Sequence, residues 1–253
     1  MESLQDVPLR PVDLSVTEAL VSTRAIRRYT DEPIPARVLR DVLFAATRAP
    51  SGSNRQPFRF LVLRDGPRAV AAKRLIADGA RAVSSAKRQR DGYTQGSGAR
   101  AGSPKARMAA TMQQYVDSFA SVPVLILPCL NRYRAPEYTE GANVYPGCQN
   151  LLLAARAYGY GGVMTMFHKD VEPGLRSLLS IPDETAICAT ITLGKPVGSH
   201  GPVRRRPMSE LVYEETWGHP AAWAVDPPGA AFTAAGPPKS ATYRPAAAAP
   251  SAS

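Results

Sequence analysis

The chain has 253 residues, which is enough for one large domain or two small ones. Its hydrophobic fraction of 44% is ordinary for a globular protein, and its formal net charge of +10 allows nucleic acid, a membrane surface or an anionic ligand as a partner. The 3 cysteines and 3 histidines are scattered, which disfavours a disulfide framework or a metal site and favours a cytoplasmic location.

No segment is predicted to enter a membrane. The N-terminal sequence MESLQDVPLRPVDL contains acidic residues and no apolar core, so it does not resemble a signal peptide. The longest apolar run, Val122–Leu130, is too short to span a bilayer and contains Pro123 and Pro128. We therefore expect no membrane partner.

The predicted elements alternate between helices and short strands. Ser15 and Glu18 have capping-box spacing, which predicts a helix from about 16 to 23. Pro35 suits the start of a second helix, which Pro50 ends. The later elements are, in chain order, a strand over 58–63, helices over 69–81 and 108–118, a strand over 122–129, a helix from 144 to Gly159, a strand over 163–167, a helix over 172–179 and a strand over 186–193. This order predicts an α+β or three-layer α/β fold around a small central sheet.

Three segments differ in composition from the domain predicted over 13–225. Residues 1–12 form an arm rich in proline and charge, and residues 226–253 form an Ala/Pro-rich tail that we expect to be disordered. Residues 82–107 carry many Lys, Arg, Gly and Ser and one acid, which predicts a mobile basic insertion. A solvated loop is the default interpretation of this insertion. A lid that attracts a phosphorylated nicotinamide comes second, and a nucleic-acid contact comes third because Tyr93 is its one aromatic residue.

Two short polar stretches indicate a bound anion. The first, Thr23–Thr30 (TRAIRRYT), places Arg24, Arg27 and Arg28 within five positions. The arginine side chain is a planar, permanently charged fork that suits phosphate or the carbonyl edge of a heterocycle. A solvated charged face is the alternative interpretation of such a cluster.

The second stretch is Ala49–Phe58 (APSGSNRQPF), which surrounds a glycine with small polar side chains. Such a loop lets a ligand approach the backbone closely, although the same residues also occur at ordinary helix exits. The two stretches are separated by one amphipathic helix, and together they predict an anionic cofactor.

These motifs resemble those of the nitroreductase family of flavin enzymes. The order is the same: an arginine-rich turn, D-E-P-I-P, A-P-S-G-S-N-x-Q-P-F, a strand, then N-V-Y-P-G-C-Q-N-L-L-L-A-A-R-A-Y-G-Y-G-G and T-L-G-K-P before a basic cluster. The resemblance covers roughly 16–208. It implies a three-layer α/β/α fold with a small, mostly antiparallel sheet, assembled as an intertwined homodimer with FMN at the subunit interface.

The resemblance also implies which residues contact FMN. Carried onto this chain, they are Thr23, Arg24, Ala25 and Arg27 in the arginine turn, Ser51, Ser53 and Asn54 from the other subunit, Met164 and Thr165 against the ring, and Arg204 and Arg206 at the phosphate. Ala25 stands where the family usually has serine. Arg205 lies between the two late arginines, so which of the three bind phosphate stays open. Arg27 is assigned to the ring, Arg24 to the phosphate side, and Arg28 lies outside the site.

The implied function is an FMN-dependent oxidoreductase. NAD(P)H, with NADPH favoured by the net charge and the basic insertion, would deliver hydride to flavin N5 in a ping-pong cycle. The small-molecule acceptor would be a nitroaromatic, a quinone or a similar electron-poor compound. Because the chemistry occurs on FMN, no protein side chain is assigned a catalytic role. Oxygen-dependent flavin cleavage, reductive dehalogenation and a non-enzymatic flavin-binding role are the alternatives.

Overall fold

The structure is a computed structural model, and it describes residues 13–90, 93 and 95–233, without the side chains of 86–90. The predicted arm 1–12 and the part of the predicted tail from 234 onward lie outside the described residues. The chain divides into two compact units, Met1–Gly201 and Pro202–Ser253, and each is described by itself. The single domain predicted over 13–225 stays a prediction.

The first unit alternates helices and strands much as the sequence predicts. Its described helices are α1 (Val16–Ser22), α2 (Ala36–Ala46), α3 (Pro67–Arg90), α4 (Pro104–Asp117), α5 (Tyr145–Ala157) and α6 (Glu172–Leu179). Its described strands are β1 (Phe58–Leu63), β2 (Val124–Asn131), β3 (Gly161–Thr165), β4 (Thr185–Ile187) and β5 (Thr190–Gly194). Ser15 caps α1 by accepting a hydrogen bond from the backbone N–H of Glu18 over 3.1 Å, which confirms the predicted helix start. None of the helices described is both long and apolar enough to cross a bilayer.

The strands form one five-stranded sheet in the order β1-β2-β5-β3, and β4 also pairs with β2. All of these pairings are antiparallel among the residues described. Strand β2 is central, with Phe58 of β1 opposite Leu130 and Leu193 of β5 opposite Val124. The small antiparallel sheet is therefore confirmed, and β3 lies at one of its edges.

Different helices pack against the two faces of β2. Val124, Ile126 and Leu130 point into a core built with α2 and α5, whereas Leu125 and Leu127 point into a core built with α3, α4 and α6. Successive strand residues face opposite sides of a sheet, so a strand buried on both faces reads as a continuous apolar run. Helices therefore cover both faces, which gives the predicted three-layer α/β/α architecture.

Helix α3 is longer than predicted. The sequence places its end at Arg81, but it continues to Arg90. Residues 82–90 are Ala, Val, Ser, Lys, Arg and Gln, most of which are good or tolerable helix formers, and their positive charges do not interrupt the helix. Helix α4 likewise starts before the predicted position 108, because the Ser103 hydroxyl caps it by accepting from Ala106 N over 3.0 Å. The predicted basic insertion thus includes the end of one helix and the start of another.

The prediction of a single strand over 186–193 is also wrong, because this segment forms two separate strands, β4 and β5. The break lies at Cys188, whose N–H donates to the carbonyl of Pro128 over 2.8 Å. Proline has no N–H to donate in return, so the ladder between β2 and its neighbour is interrupted at this point.

The second unit contains a 3-10 helix at Met208–Glu210 and two isolated pairings, Arg205 with Phe232 and Tyr213 with Pro220. Residues 226–233, which the sequence assigns to the tail, take part in this structure. The carboxylate of Asp226 accepts a hydrogen bond from Met208 N over 3.1 Å.

Candidate functional site

The arginine turn is attached to the edge strand β3. The backbone N–H of Ile26 donates to the carbonyl of Gly162 over 3.0 Å. The Tyr29 hydroxyl donates to the carbonyl of Ile26 over 2.6 Å and contacts Thr192 Oγ1 at 2.8 Å. The backbone of the turn is therefore held by β3 and by the Tyr29 side chain, and this fixes the backbone positions of its arginines.

Two glycines at the start of β3 allow close packing around this strand. A Cβ atom on Gly161 would lie 2.5 Å from Ile26 Cγ1, and a Cβ on Gly162 would collide with the backbone oxygen of Thr192. Gly161 therefore leaves room for the turn, whereas Gly162 leaves room for β5 and for Leu152 of α5. Gly159, with φ of 76°, follows the end of α5 as a helix cap.

Two polar atoms of the turn are buried without a partner. Thr23 Oγ1 and Arg27 Nε make no hydrogen bond to any residue in the described part of the chain. Buried polar atoms are nearly always satisfied, so each orphan needs an explanation, and a bound polar ligand is one. Arg27 also lies near the buried hydroxyls of Tyr29 and Tyr115, where burial raises the pKa of both phenols and the nearby guanidinium opposes the rise. The residues present thus fit an anionic or carbonyl-bearing ligand.

Among the residues described, β3 has backbone groups without a hydrogen-bond partner on the edge beside the turn. In an antiparallel strand, residues two apart direct their N–H and C=O groups to the same side. Because the carbonyl of Gly162 points away from β5 toward Ile26, the backbone of Met164 points to that same open edge. The Met164 side chain is 38% exposed, whereas the Thr165 hydroxyl donates to Thr190 O over 3.4 Å. Met164 and the turn therefore lie along one edge of the sheet, and the Thr165 hydroxyl bonds inward.

His200 is a neighbour of the turn that sequence reasoning missed. The backbone N–H of Arg24 approaches its Nδ1 at 3.4 Å, and its Nε2 lies 3.1 Å from the carbonyl of Tyr160. A ring that accepts at Nδ1 must carry its proton on Nε2, so both contacts are satisfied by the neutral form. Burial lowers the pKa of His200, and the nearby guanidinium groups of Arg156 and Arg24 lower it further. A lone histidine among glycines gives no sequence signal for such a role.

The loop containing Ser51, Ser53 and Asn54 has an unusual backbone. Ser53, Asn54 and Gln56 all have positive φ, at 52°, 51° and 50°. This conformation costs side-chain-bearing residues on the order of 1 kcal/mol each, so the surroundings must hold it in place. The Ser51 hydroxyl accepts from Gln56 N over 2.9 Å, and Gly52 N donates to Asn143 Oδ1 over 2.8 Å. The loop is thus exposed but anchored.

The loop and the arginine turn lie at opposite ends of the sheet. The loop precedes Phe58, which pairs with Leu130, whereas the turn rests against Gly161, which pairs with Gly194 beyond the Val124 end of β2. The loop and the turn are separated by three inter-strand spacings across the sheet and by about seven residues along the strands. This separation is roughly 25 Å. One copy of the first unit therefore does not bring these two groups of predicted site residues together.

The late arginines belong to the second unit and differ in their pairing. Arg206 forms an ion pair with Glu210, with Nε and Oε2 2.9 Å apart. The backbone of Arg205 pairs with the segment around Phe232, and its guanidinium donates to the carbonyl of Arg204 over 2.9 Å. Arg204 is exposed and has no carboxylate partner among the residues described. Of the two predicted phosphate ligands, Arg204 is therefore the one without a competing acid.

His168 and Phe167 have structural roles. His168 is buried, contacts Thr190 Oγ1 at 3.1 Å, and has a pKa lowered by burial, as expected of a structural histidine. Phe167 packs against the buried rings of Tyr115 and Phe119.

A three-layer fold with an arginine turn on the open edge of its sheet defines a nitroreductase-like class of oxidoreductase. The chain belongs to the Nitroreductase family, whose profile matches residues 20–195. This membership confirms the predicted family and enzyme class.

Relatives and solved structures agree with this membership. A protein of Thermus thermophilus named NADH dehydrogenase is 32% identical over 207 residues, covering 79% of this chain and 95% of the relative. Nitrobenzene nitroreductase of Ectopseudomonas oleovorans is 25% identical over 224 residues, covering 81% of this chain and 96% of the relative. A crystal structure described as a nitroreductase of Desulfovibrio desulfuricans in complex with FMN matches with a TM-score of 0.60 at 29% identity, covering 81% of this chain and 99% of that chain.

Proposed function

We propose that the protein is an FMN-dependent oxidoreductase that takes electrons from NAD(P)H and reduces nitroaromatics, quinones or similar electron-poor acceptors. The observation that carries the proposal is the pair of buried, unpartnered atoms in the arginine turn, Thr23 Oγ1 and Arg27 Nε, among the residues described. They lie beside the open backbone edge of β3. The structural relative that binds FMN supports the identity of the cofactor.

Bound FMN would supply two-electron chemistry, accepting hydride from NAD(P)H and returning two electrons to an acceptor. Reduction of a nitro group to a nitroso group consumes those two electrons and two protons, and one oxygen leaves as water. The protein residues position the cofactor. Arg27 would stabilise the negative charge that reduction leaves on the pyrimidine side of the ring, with Ala25 beside it in place of a serine. In the first unit, Arg24 is the proposed residue for the phosphate side. In the second unit, Arg204 and Arg206 are the proposed phosphate ligands, and phosphate would replace Glu210 at Arg206.

The proposed site needs two copies of the chain. Because the turn and the Ser51–Asn54 loop lie roughly 25 Å apart in one copy, the loop that completes each site would come from a partner. Exposed apolar side chains on α1, namely Val16, Leu20 and Val21, offer a surface for such an association. We therefore propose a homodimer with two sites.

The donor and the acceptor are narrower proposals. NADPH is proposed over NADH because of the net charge of +10 and the basic residues of 82–107, although one relative is named for NADH. Nitroaromatic acceptors are supported by the relative named nitrobenzene nitroreductase. We infer no role for nucleic acid.

The test is anaerobic reduction of the purified protein. We expect flavin absorbance in the protein as isolated or after addition of FMN, bleaching by NADPH with a higher kcat/KM than by NADH, and recolouring by quinones and nitroaromatics. Absence of FMN binding would refute the proposal, and faster reduction by NADH would refute the donor preference. FMN that binds but is not reduced would indicate a storage or sensor protein. Halide release from aromatic halides, or loss of flavin in air, would instead favour dehalogenation or flavin cleavage on the same scaffold.

A further inference from the structure

An arginine from the polar loop is stacked on a tyrosine from another part of the chain. The guanidinium carbon of Arg55 lies 4.8 Å from the ring centroid of Tyr133, and that of Arg134 lies 5.4 Å from the same centroid. We propose that the Arg55–Tyr133 pair is an acceptor-recognition element that selects aromatic acceptors bearing an anionic substituent such as a carboxylate. This inference rests on the proposed function, because it concerns the acceptor of that reaction.

The two segments that carry this pair are held together independently of it. Gly52 N donates to Asn143 Oδ1 over 2.8 Å, and Asn143 Nδ2 approaches the carbonyl of Glu140 at 3.4 Å. Glu140 in turn accepts from Arg132 Nη2 over 2.6 Å. These hydrogen bonds hold the loop after α2 against the segment that follows β2. The positions of Arg55 and Tyr133 relative to each other therefore do not depend on their stacking contact alone.

Of the three arginines Arg55, Arg132 and Arg134, only Arg55 lacks a carboxylate partner among the residues described. Arg132 is paired with Glu140, and Arg134 is paired with Glu137. Arg55 is exposed and makes no ion pair with any carboxylate in the described part of the chain. A ligand carboxylate can thus bind Arg55 without displacing an acidic side chain, which it cannot do at the other two arginines.

The chemistry of the pair suits an aromatic anion. A guanidinium that stacks on a ring keeps its N–H edge free, and that edge matches the two oxygens of a carboxylate. Tyr133 is 50% exposed, so its aromatic side chain is accessible for contact with an aromatic acceptor. Arg55 follows directly after Asn54, which is a proposed FMN contact, so the pair lies next to the part of the loop that the proposed dimer brings to the flavin.

The test compares two acceptors that differ by one carboxylate, 4-nitrobenzoate and nitrobenzene. Full-length protein loaded with FMN is reduced anaerobically, and kcat/KM for reoxidation is measured with each acceptor. In Arg55→Gln, which removes the charge and keeps the side-chain length close, we expect the ratio for 4-nitrobenzoate over nitrobenzene to fall about threefold or more. The preference of the unmodified protein should also weaken as salt is raised from about 10 mM to about 1 M.

The matched control is Arg48→Gln. Arg48 is also an exposed arginine stacked on a ring, 4.7 Å from the centroid of Phe44, but its guanidinium contacts Phe44 and Thr47 at the end of α2 and not Tyr133. This control changes the net charge by the same amount, so we expect it to leave the acceptor ratio unchanged.

Three results would overturn the inference. An acceptor ratio that is the same in Arg55→Gln and in the unmodified protein would do so, and so would an equal fall in Arg48→Gln. A change in the NADPH-to-NADH ratio alone would assign Arg55 to the donor phosphate instead. If neither acceptor reoxidises a protein that NADPH has reduced, the proposed function itself fails, and this outcome is distinguishable from the other three.

Discussion

The backbone N–H of Gly52 donates a hydrogen bond to Asn143 Oδ1 over 2.8 Å, linking residues 91 positions apart in the chain. The bond ends in a loop with three positive φ values at side-chain-bearing residues, a conformation that the loop sequence does not favour by itself. Asn143 is positioned through Glu140, whose carboxylate Arg132 binds through two nitrogens. The shape of the predicted cofactor loop therefore depends on Asn143, the first residue of the N-V-Y-P-G-C-Q-N motif, and the sequence alone does not connect that motif with the loop.

Removing the acceptor at position 143 should weaken cofactor binding. In Asn143→Leu the Gly52 N–H loses its partner, and a lost hydrogen bond of this kind costs about 1 kcal/mol, or about fivefold in Kd. We expect FMN affinity, measured by titration of the apoprotein with flavin fluorescence, to fall by that factor. Asn143→Asp, which keeps an oxygen toward Gly52, should lose much less. Equal affinities for Asn143→Leu and the unmodified protein would show that the loop does not need this anchor.

Arg27 should tune the reduction potential of the bound flavin. In Arg27→Met the long apolar stem is kept and the charge is lost, so negative charge on the reduced ring is less well stabilised. We expect the midpoint potential to become more negative by some tens of millivolts, since about 30 mV corresponds to about 1.4 kcal/mol for a two-electron couple. Spectroelectrochemical titration measures this directly. Arg28→Met, at an exposed neighbour, is the control, and an equal shift in both variants would contradict a specific role for Arg27.

Sequence reasoning could predict the helices and strands of each layer, but not the tertiary contacts between them. The apolar runs and helical stripes predict β2, α2 and α5 because buried faces impose their own periodicity. The glycine contacts at 161 and 162, the Asn143 anchor and the position of His200 depend on which elements meet in space, and local patterns do not encode that. Sequence reasoning misses the extension of α3 to Arg90 for a different reason, because the Lys, Arg, Gly and Ser of 82–107 predict a mobile insertion although residues 82–90 are mostly good helix formers.

Lys73 should be a structural lysine whose loss destabilises the fold. Its side chain is only 5% exposed, and its ammonium group donates to the carbonyls of Arg64, Val122 and Pro123 at 2.5 to 3.2 Å. Lys73→Met would leave those oxygens without their donor, which costs about 1 to 3 kcal/mol. We expect the melting temperature to fall by about 2 to 10 °C while FMN affinity measured well below it is retained. A variant with the same melting temperature as the unmodified protein would show that water replaces the ammonium group as the donor.

His200 should make the stability of the first unit depend on pH. Burial and the neighbouring Arg24 and Arg156 lower its pKa, so the folded state resists a proton that the unfolded chain accepts near its ordinary value of about 6.5. The unfolded state then binds more protons in this window, and the contribution of His200 is complete above pH 6.5 and is lost as pH falls toward the folded pKa. Protonation would also remove the Nδ1 acceptor facing Arg24 N, which loosens the arginine turn.

We therefore expect His200→Asn to flatten the decline of melting temperature and of FMN retention between pH 7.5 and 5.5, because an asparagine oxygen can replace Nδ1 but does not titrate. The exposed His219, replaced by Asn, is the matched control and should leave the profile unchanged. His168, whose pKa burial also lowers, stays in both variants, so part of the decline should remain. Identical pH profiles for His200→Asn and the unmodified protein would show that His168 alone, or the carboxylates, carries the acid sensitivity.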